Sequence, residues 1–336
     1  TVVDWLSWWL HVPDTRIGWL LPALVAGLRE ARRARATVIY STAPCWTSHT
    51  VGALLAYCTG LRLVADFQDP WCGSYWRQIP YRAHRCLDEF LERRVVGRAS
   101  RITCAWDGIR KHLVARYPSR AADCETILNG FDPEEFESLE PVRYDGGRCV
   151  FLHAGAFYGP RSPEPLMAAL RHLQQQAPEM VNRMHVVLLG PVVYSGRLLD
   201  DIAREYGVGD VVTVVPSVPR HEALAWIKGA DVSLLFGQSG YDSLASVPAK
   251  TFDYVAIGSP VLAVGGGEEV CGILRRGGCK LWTATEDVAA LADILKDIVT
   301  EYASIGLPKS GSDARNALAW HVSVERLTRV VQNVGE

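Results

Sequence analysis

Several things are missing from this 336-residue chain, and each absence narrows what it can be. No run of eighteen or more apolar residues occurs, so no segment reads as a membrane-spanning helix. The nine cysteines are odd in number, scattered, and never spaced C-x-x-C, which argues against a disulfide framework or a zinc site. Most are expected to be reduced core residues, as in the cytosol. There is no short-period repeat and no low-complexity tract. No recognised nucleic-acid motif accompanies the arginines, and no aspartate pair has metal-ligand spacing. The chain opens at Thr1 with neither methionine nor a signal-like leader, so the expectation is that something upstream is absent.

What is present reads as a soluble globular protein, 49% hydrophobic and 21% charged, with length for two domains. The net charge of −2 hides an asymmetry. Residues 1–120 hold 17 Lys/Arg against 9 Asp/Glu, and the remainder holds 18 against 28. A basic first part points to an anionic partner: nucleic acid, lipid head groups or a phosphorylated substrate. Without a nucleic-acid motif, lipid or phosphate ranks higher.

Strand and helix patterns alternate along the chain, which predicts an α/β fold with parallel sheets covered on both faces. In the first part, apolar runs at 37–41, 61–67, 101–105 and 125–128 read as strands, with helices at 18–35, 47–58, 80–98 and 108–116 between them. The tryptophan-rich start (Trp5, Trp8, Trp9) suits either core packing or a membrane interface. The charged segment 133–148 reads as a surface connection. Strands are then expected at 149–153, 184–189, 211–215 and 230–235, and terminal helices at 285–303 and 312–333. The expected domains are 1–140 and 149–310. The last helix, 312–333, is expected to pack back on the first domain.

The stretch Pro248–Pro260 starts a helix abruptly and stops it at Gly258-Ser-Pro260. Such an opening leaves free N–H groups and a positive dipole end, suited to phosphate. Lys250 adds a charge, and Asp253 stands one turn in as an acceptor for sugar hydroxyls. An ordinary amphipathic helix is the alternative. Other candidates fall at expected strand ends: Asp66, Asp69, Gly155, Tyr158, Arg161 and Gly190. His49 and His153 read as core or loop histidines.

Several motifs occur together and in order. They are Ala65-Asp-Phe-Gln-Asp-Pro-Trp71, Ile127-Leu-Asn-Gly-Phe-Asp132, His153-Ala-Gly-Ala-Phe-Tyr-Gly-Pro-Arg161 and Pro248-Ala-Lys-Thr-Phe-Asp-Tyr254 with Gly258-Ser-Pro260. In these the chain resembles glycosyltransferase family 4, retaining enzymes of GT-B fold, in the branch that builds bacterial surface polysaccharides. That resemblance implies two Rossmann-like doubly wound domains facing across a cleft, 1–140 as an incomplete acceptor-side domain and 149–310 as the one that binds a nucleotide sugar. Relative to it, the usual N-terminal strand and glycine-rich loop are missing. Its two-glutamate pattern is also incomplete, with Ala245 at the first position and Asp253 at the second.

The resemblance implies a nucleotide-diphosphate sugar as donor substrate, with no cofactor and no metal. Arg161 and the N–H groups near Ala249 and Lys250 would meet the diphosphate, and Gly155 and Tyr158 would also line the donor site. Asp253 would accept the ribose hydroxyls, and the loops at Gly190 and Val218 would flank the base. Asp66 and Asp69 are the catalytic-side candidates, holding the acceptor or shaping the cleft. The acceptor would be a saccharide or lipid-linked, and the location cytoplasmic, with peripheral contact to the inner face of an anionic membrane. The alternatives are a nucleotide-sugar 2-epimerase on the same fold and a non-catalytic nucleotide-sugar-binding scaffold.

Overall fold

The computed structural model describes residues 2–73, 79–144, 146–158, 161–237 and 247–335. Gly159, Pro160 and Ala245, quoted above, lie outside those residues, as does most of the loop that precedes Pro248. The chain divides into two compact units, one of Thr1–Asn129 with Val322–Glu336 and one of Gly130–His321.

The first unit holds a parallel sheet of β1 (Val38–Ala43), β2 (Arg62–Phe67), β3 (Arg101–Cys104) and β4 (Cys124–Thr126), in that spatial order. β4 covers only part of the strand expected at 125–128. Crossover helices Trp46–Thr59, Arg82–Arg98 and Asp107–Arg116 connect the strands. The sheet register sets Thr42, Asp66 and Thr103 level on three adjacent strands. Level residues share a face of the sheet, so their side chains converge.

The long helix Arg82–Arg98 buries two carboxylates one turn apart, Asp88 and Glu92. Asp88 accepts from Trp71 Nε1 at 2.9 Å, and Glu92 accepts from the Cys72 backbone N–H at 2.7 Å. Glu92 is also held by Arg116 Nε at 3.0 Å and the Tyr117 hydroxyl at 2.7 Å. The loop after β2 is therefore tied to this helix by buried acceptors. At the chain start, Trp9 packs on the buried His84 ring at 4.3 Å and Trp5 at 5.5 Å, while Val2, Val3, Leu6 and Leu10 stay exposed.

The second unit is a six-stranded parallel sheet in the order β12-β11-β10-β5-β6-β9. Its strands are β5 (Cys149–Ala154), β6 (Met184–Leu189), β9 (Val212–Val215), β10 (Val232–Phe236), β11 (Val261–Val264) and β12 (Leu281–Ala284). A small antiparallel hairpin, β7 (Val193–Tyr194) and β8 (Arg197–Leu198), follows β6. The chain runs outward from β5 to β9, then restarts at β10 on the other side of β5. That reversal makes a topological switch point, where open α/β sheets take ligands. Leu166, Met167 and Leu170 of helix Glu164–Gln176, with Leu291 and Leu295 of helix Val288–Ile305, join the core on β5, β6 and β10.

Two parts differ from expectation. Segment 133–148 is packed rather than merely connecting: Phe136 is buried, Val142 N–H donates to Ala225 O, and Lys228 Nζ donates to Leu139 O at 2.7 Å. The single terminal helix expected at 312–333 is instead two, Ser312–Asn316 and Trp320–Gly335. The break buries Leu318 and Ala319 and lets Ala319 bridge Phe131, with the Trp320 N–H donating to Phe131 O at 2.8 Å. Beyond the break, Ser323 Oγ donates to Leu128 O, and Arg62 reaches Val334 O, both within the first unit. Among the described residues no helix is long and apolar enough to cross a membrane.

Replacing Glu92 with Ala leaves Arg116 and the Cys72 N–H without their buried acceptor. The expected loss is about 3–5 kcal/mol, read from urea unfolding midpoints against the wild type.

Candidate functional site

In the second unit four strands end in glycine: Gly155 after β5, Gly190 after β6, Gly237 after β10 and Gly265 after β11. Two of these are required by close approach. A Cβ on Gly190 would stand 2.6 Å from Gly155 O, and one on Gly155 would stand 2.8 Å from Lys250 Nζ. Both have positive φ, +151° and +123°, where a side chain adds strain. The space a side chain would fill is taken by the Lys250 ammonium, close to the switch point between β5 and β10.

Lys250 opens the helix Lys250–Ile257, which ends at Gly258 in the left-handed conformation. The Thr251 and Phe252 N–H groups are turned back onto Pro248 O and Ala249 O. Those of Ala249 and Lys250 donate to no acceptor among the described residues. Burial, with the like charge of Arg161, lowers the Lys250 ammonium from 10.5 to about 7, and Asp253 opposes the shift. Lys250 Nζ lies 3.5 Å from His153 Nε2. His153 is 2% exposed, with Nδ1 3.2 Å from Leu234 O. Nδ1 is therefore the protonated nitrogen, and Nε2 faces the lysine as an acceptor. Burial, then the charge of Lys250, holds this imidazole well below its usual pKa, in the neutral form.

Arg161 is buried as well, and its Nη1 donates to the Tyr158 hydroxyl at 2.5 Å. Its guanidinium carbon lies 4.9 Å above the Tyr158 ring. Tyr158 is half exposed and holds the arginine. Gly155, Arg161 and Lys250 are thus brought together, with Tyr158 and Gly190 as supports. Val218 is half-buried in the turn between β9 and helix Arg220–Gly229, two strands from β5. Asp253 is nearly buried but not free: Arg220 donates to it at 2.8 and 3.4 Å. Sequence reasoning missed Arg220 and Glu135. The available signal was an arginine directly after Pro219 at a helix start, the end where the dipole disfavours a cation.

In the first unit the two aspartates have different environments. Asp66 is buried and accepts from Thr103 Oγ1 at 2.6 Å, Gln68 Nε2 at 2.8 Å and Thr42 Oγ1 at 2.9 Å. It braces three strands. The half-buried Asp69 accepts no hydrogen bond among the described residues, and burial raises its carboxyl from 3.8 to about 6. A group poised near neutrality is the better candidate for contact with a substrate hydroxyl. Among the described residues no group of three His, Cys, Asp or Glu could hold a metal ion.

No protein-family model matches the chain. The D-inositol 3-phosphate glycosyltransferase of Nocardiopsis dassonvillei is 28% identical over 203 residues, 55% of this chain and 46% of that protein. A protein of the same name from Catenulispora acidiphila is 25% identical over 311 residues, 87% of this chain and 71% of that one. Sucrose-phosphate synthase from Thermosynechococcus elongatus superimposes with a TM-score of 0.69 at 18% identity, covering 95% of this chain and 79% of its own. HepE from Anabaena, solved with UDP, superimposes with a TM-score of 0.62 at 16% identity, over 93% and 80%. In sequence the chain is similar to D-inositol 3-phosphate glycosyltransferases, and in fold to sucrose-phosphate synthase and HepE. The GT-B superpositions bear out the α/β architecture with two parallel sheets. The match spans about half the length of the first two curated relatives.

The folded Asp69 carboxyl titrates near 6 and the unfolded one near 3.8, so the protonated form favours the fold. Its stabilising contribution is full below about pH 4 and is lost as pH rises through 6. In Asp69→Asn that loss between pH 4 and 6 should vanish, as followed by denaturant melts across the range.

Proposed function

We propose that this chain is a retaining glycosyltransferase. It would move a sugar from a nucleotide-diphosphate donor to a saccharide or lipid-linked acceptor in surface polysaccharide synthesis. The observation that carries this reading is the pair of buried cations, Lys250 and Arg161, beside strand ends stripped to glycine. An ammonium and a guanidinium held buried side by side raise the local positive potential and so favour an incoming anion. The open N–H groups of Ala249 and Lys250 add donors and the positive end of a helix dipole.

As the glycosidic bond breaks, charge builds on the departing diphosphate. Lys250, Arg161 and the two N–H groups would stabilise it, each well-placed donor contributing roughly 3–4 kcal/mol in the transition state. Neutral His153 would keep the lysine directed at the anion without adding a competing charge. Asp69 would orient an acceptor hydroxyl, and Asp66 would keep that loop in shape from beneath. In this reading the first domain holds the acceptor and the second holds the donor. No metal is assigned a part. UDP in HepE makes UDP a first donor-side probe.

Calorimetric titration with UDP and GDP tests the donor site. Arg161→Ala and Lys250→Ala should each weaken binding by at least about tenfold. Wild-type affinity should fall as pH rises above about 7, where Lys250 loses its proton. Absence of binding, or binding indifferent to both substitutions and to pH, would sink the proposal. Sugar transfer, or slow donor hydrolysis, separates an enzyme from a binding scaffold.

The exposed Leu6, Leu10, Trp19 and Leu21, with the exposed Arg29, Arg32 and Arg33, support peripheral contact with an anionic bilayer, which this reading places on the cytoplasmic side. Binding to vesicles containing phosphatidylglycerol should be salt-sensitive and lost when the three arginines become glutamine. Equal binding to neutral vesicles would refute it.

A further inference from the structure

Asp253 reaches solvent through a side chain only 12% exposed, and it shares that opening with Arg220, whose side chain is 57% exposed. Arg220 Nη2 donates to Asp253 Oδ1 at 2.8 Å, and Nη1 donates to Oδ2 at 3.4 Å. The other edge of the guanidinium faces Glu135: Nε donates to Oε1 at 2.7 Å and Nη2 to Oε2 at 3.0 Å. These bonds, to Glu135 first and Asp253 second, raise the arginine's pKa further above its usual value. Arg220 also begins the helix Arg220–Gly229, where the dipole opposes a cation. Carboxylates 85 residues upstream and 33 residues downstream offset that cost. The arginine is therefore held from both sides rather than lying loose on the surface.

Counting donors and acceptors gives the pair a chemical identity. A guanidinium has five N–H groups. Four are engaged here, one on Nε, two on Nη2 and one on Nη1, so among the described residues a single Nη1 N–H remains. An ionised carboxylate accepts about four hydrogen bonds, and Asp253 has used two. Among the described residues this leaves one donor and two acceptor positions unused on the pair. A vicinal diol is the complement, with two O–H donors and a lone pair to accept the remaining N–H. A single hydroxyl would leave an acceptor, or the N–H, unpaired beside a nearly buried carboxylate.

Resting on the donor-site reading above, we propose that Arg220 is a specificity-determining residue that reads the ribose vicinal diol jointly with Asp253. Glu135 is the positioning residue that holds Arg220 for this task. The same geometry gives the short aspartate its use. Its reach is one methylene less than that of a glutamate, and the guanidinium supplies the contact that the missing length would have made. The turn at Val218 lies two residues before Arg220, so the clamp also ties that turn to the helix Lys250–Ile257.

The test is a ratio. UDP, GDP and their 2′-deoxy counterparts are titrated calorimetrically into the full chain, as wild type, Arg220→Met, Arg220→Gln and Glu135→Gln, with inorganic pyrophosphate as the control ligand. Circular dichroism melts establish that each variant is folded. The wild type should prefer the ribose form by about tenfold. Arg220→Met and Arg220→Gln should reduce that preference below about threefold while pyrophosphate binding stays within about twofold. Glu135→Gln should reduce it less. A preference unchanged in the Arg220 variants overturns the diol assignment and leaves the donor site standing. Wild-type protein that binds none of the four nucleotides overturns the donor-site reading and this one with it. Should Arg220→Met not fold, the Arg220→Gln ratio decides by the same criterion.

Discussion

The Lys250 ammonium occupies its position only because two successive strand ends carry no side chain. A single methyl on Gly155 would fall on Nζ, and one on Gly190 would fall on the Gly155 carbonyl. The backbone edge of β5 and β6 can therefore close down around a cation that has given up most of its water. Much else in the second unit depends on that closeness. His153 stays neutral beneath the lysine, between Leu234 O and Nζ, with Phe157 stacked on it at 4.4 Å. Tyr158 turns Arg161 inward, so a second positive charge adds to the first. Burial and the neighbouring guanidinium both act against the charged form of Lys250, and Asp253 offsets them only in part. Two buried cations so close together raise the local positive potential, which is the ground for the donor-site proposal.

In the first unit the two aspartates of one short motif are separated by their surroundings. Asp66 takes hydroxyl donors from the strand on either side and an amide from Gln68, so its lone pairs are spent inside the sheet. Asp69, three residues later, keeps its carboxylate half in water with a raised pKa. Motif membership treats the pair as equals. The register of β1, β2 and β3 does not.

Much of this was legible in the residues. The alternation of apolar runs and helical stretches predicted parallel sheets, because a buried strand and a crossover helix have different periods. Gly155 and Lys250 stood out because one follows a strand and the other starts a helix, and Arg161 because it lies in the loop between a strand and a helix. What was hidden depends on long separations. Glu135, Arg220 and Asp253 meet across 85 and 33 residues, and nothing local in Glu135 marks it as a clamp. The break before Trp320 carries no proline or glycine. It is made by the bridge from Ala319 to Phe131, a tertiary bond that overrides a continuous helical pattern. Segment 133–148 read as a surface connection because its charges are numerous, yet Phe136 and the carbonyls bonded to Lys228 anchor it.

The first unit is assembled from both ends of the chain, whereas the second is one uninterrupted stretch. This has a consequence for the order of events on the ribosome, where domains generally fold as their residues emerge. The stretch 130–321 can complete its sheet as soon as it is released. The earlier-made unit must wait, because Leu128 O and Arg62 find their partners on the closing helix only after synthesis has passed Ser323 and Val334. In this protein the half that is translated first is finished last.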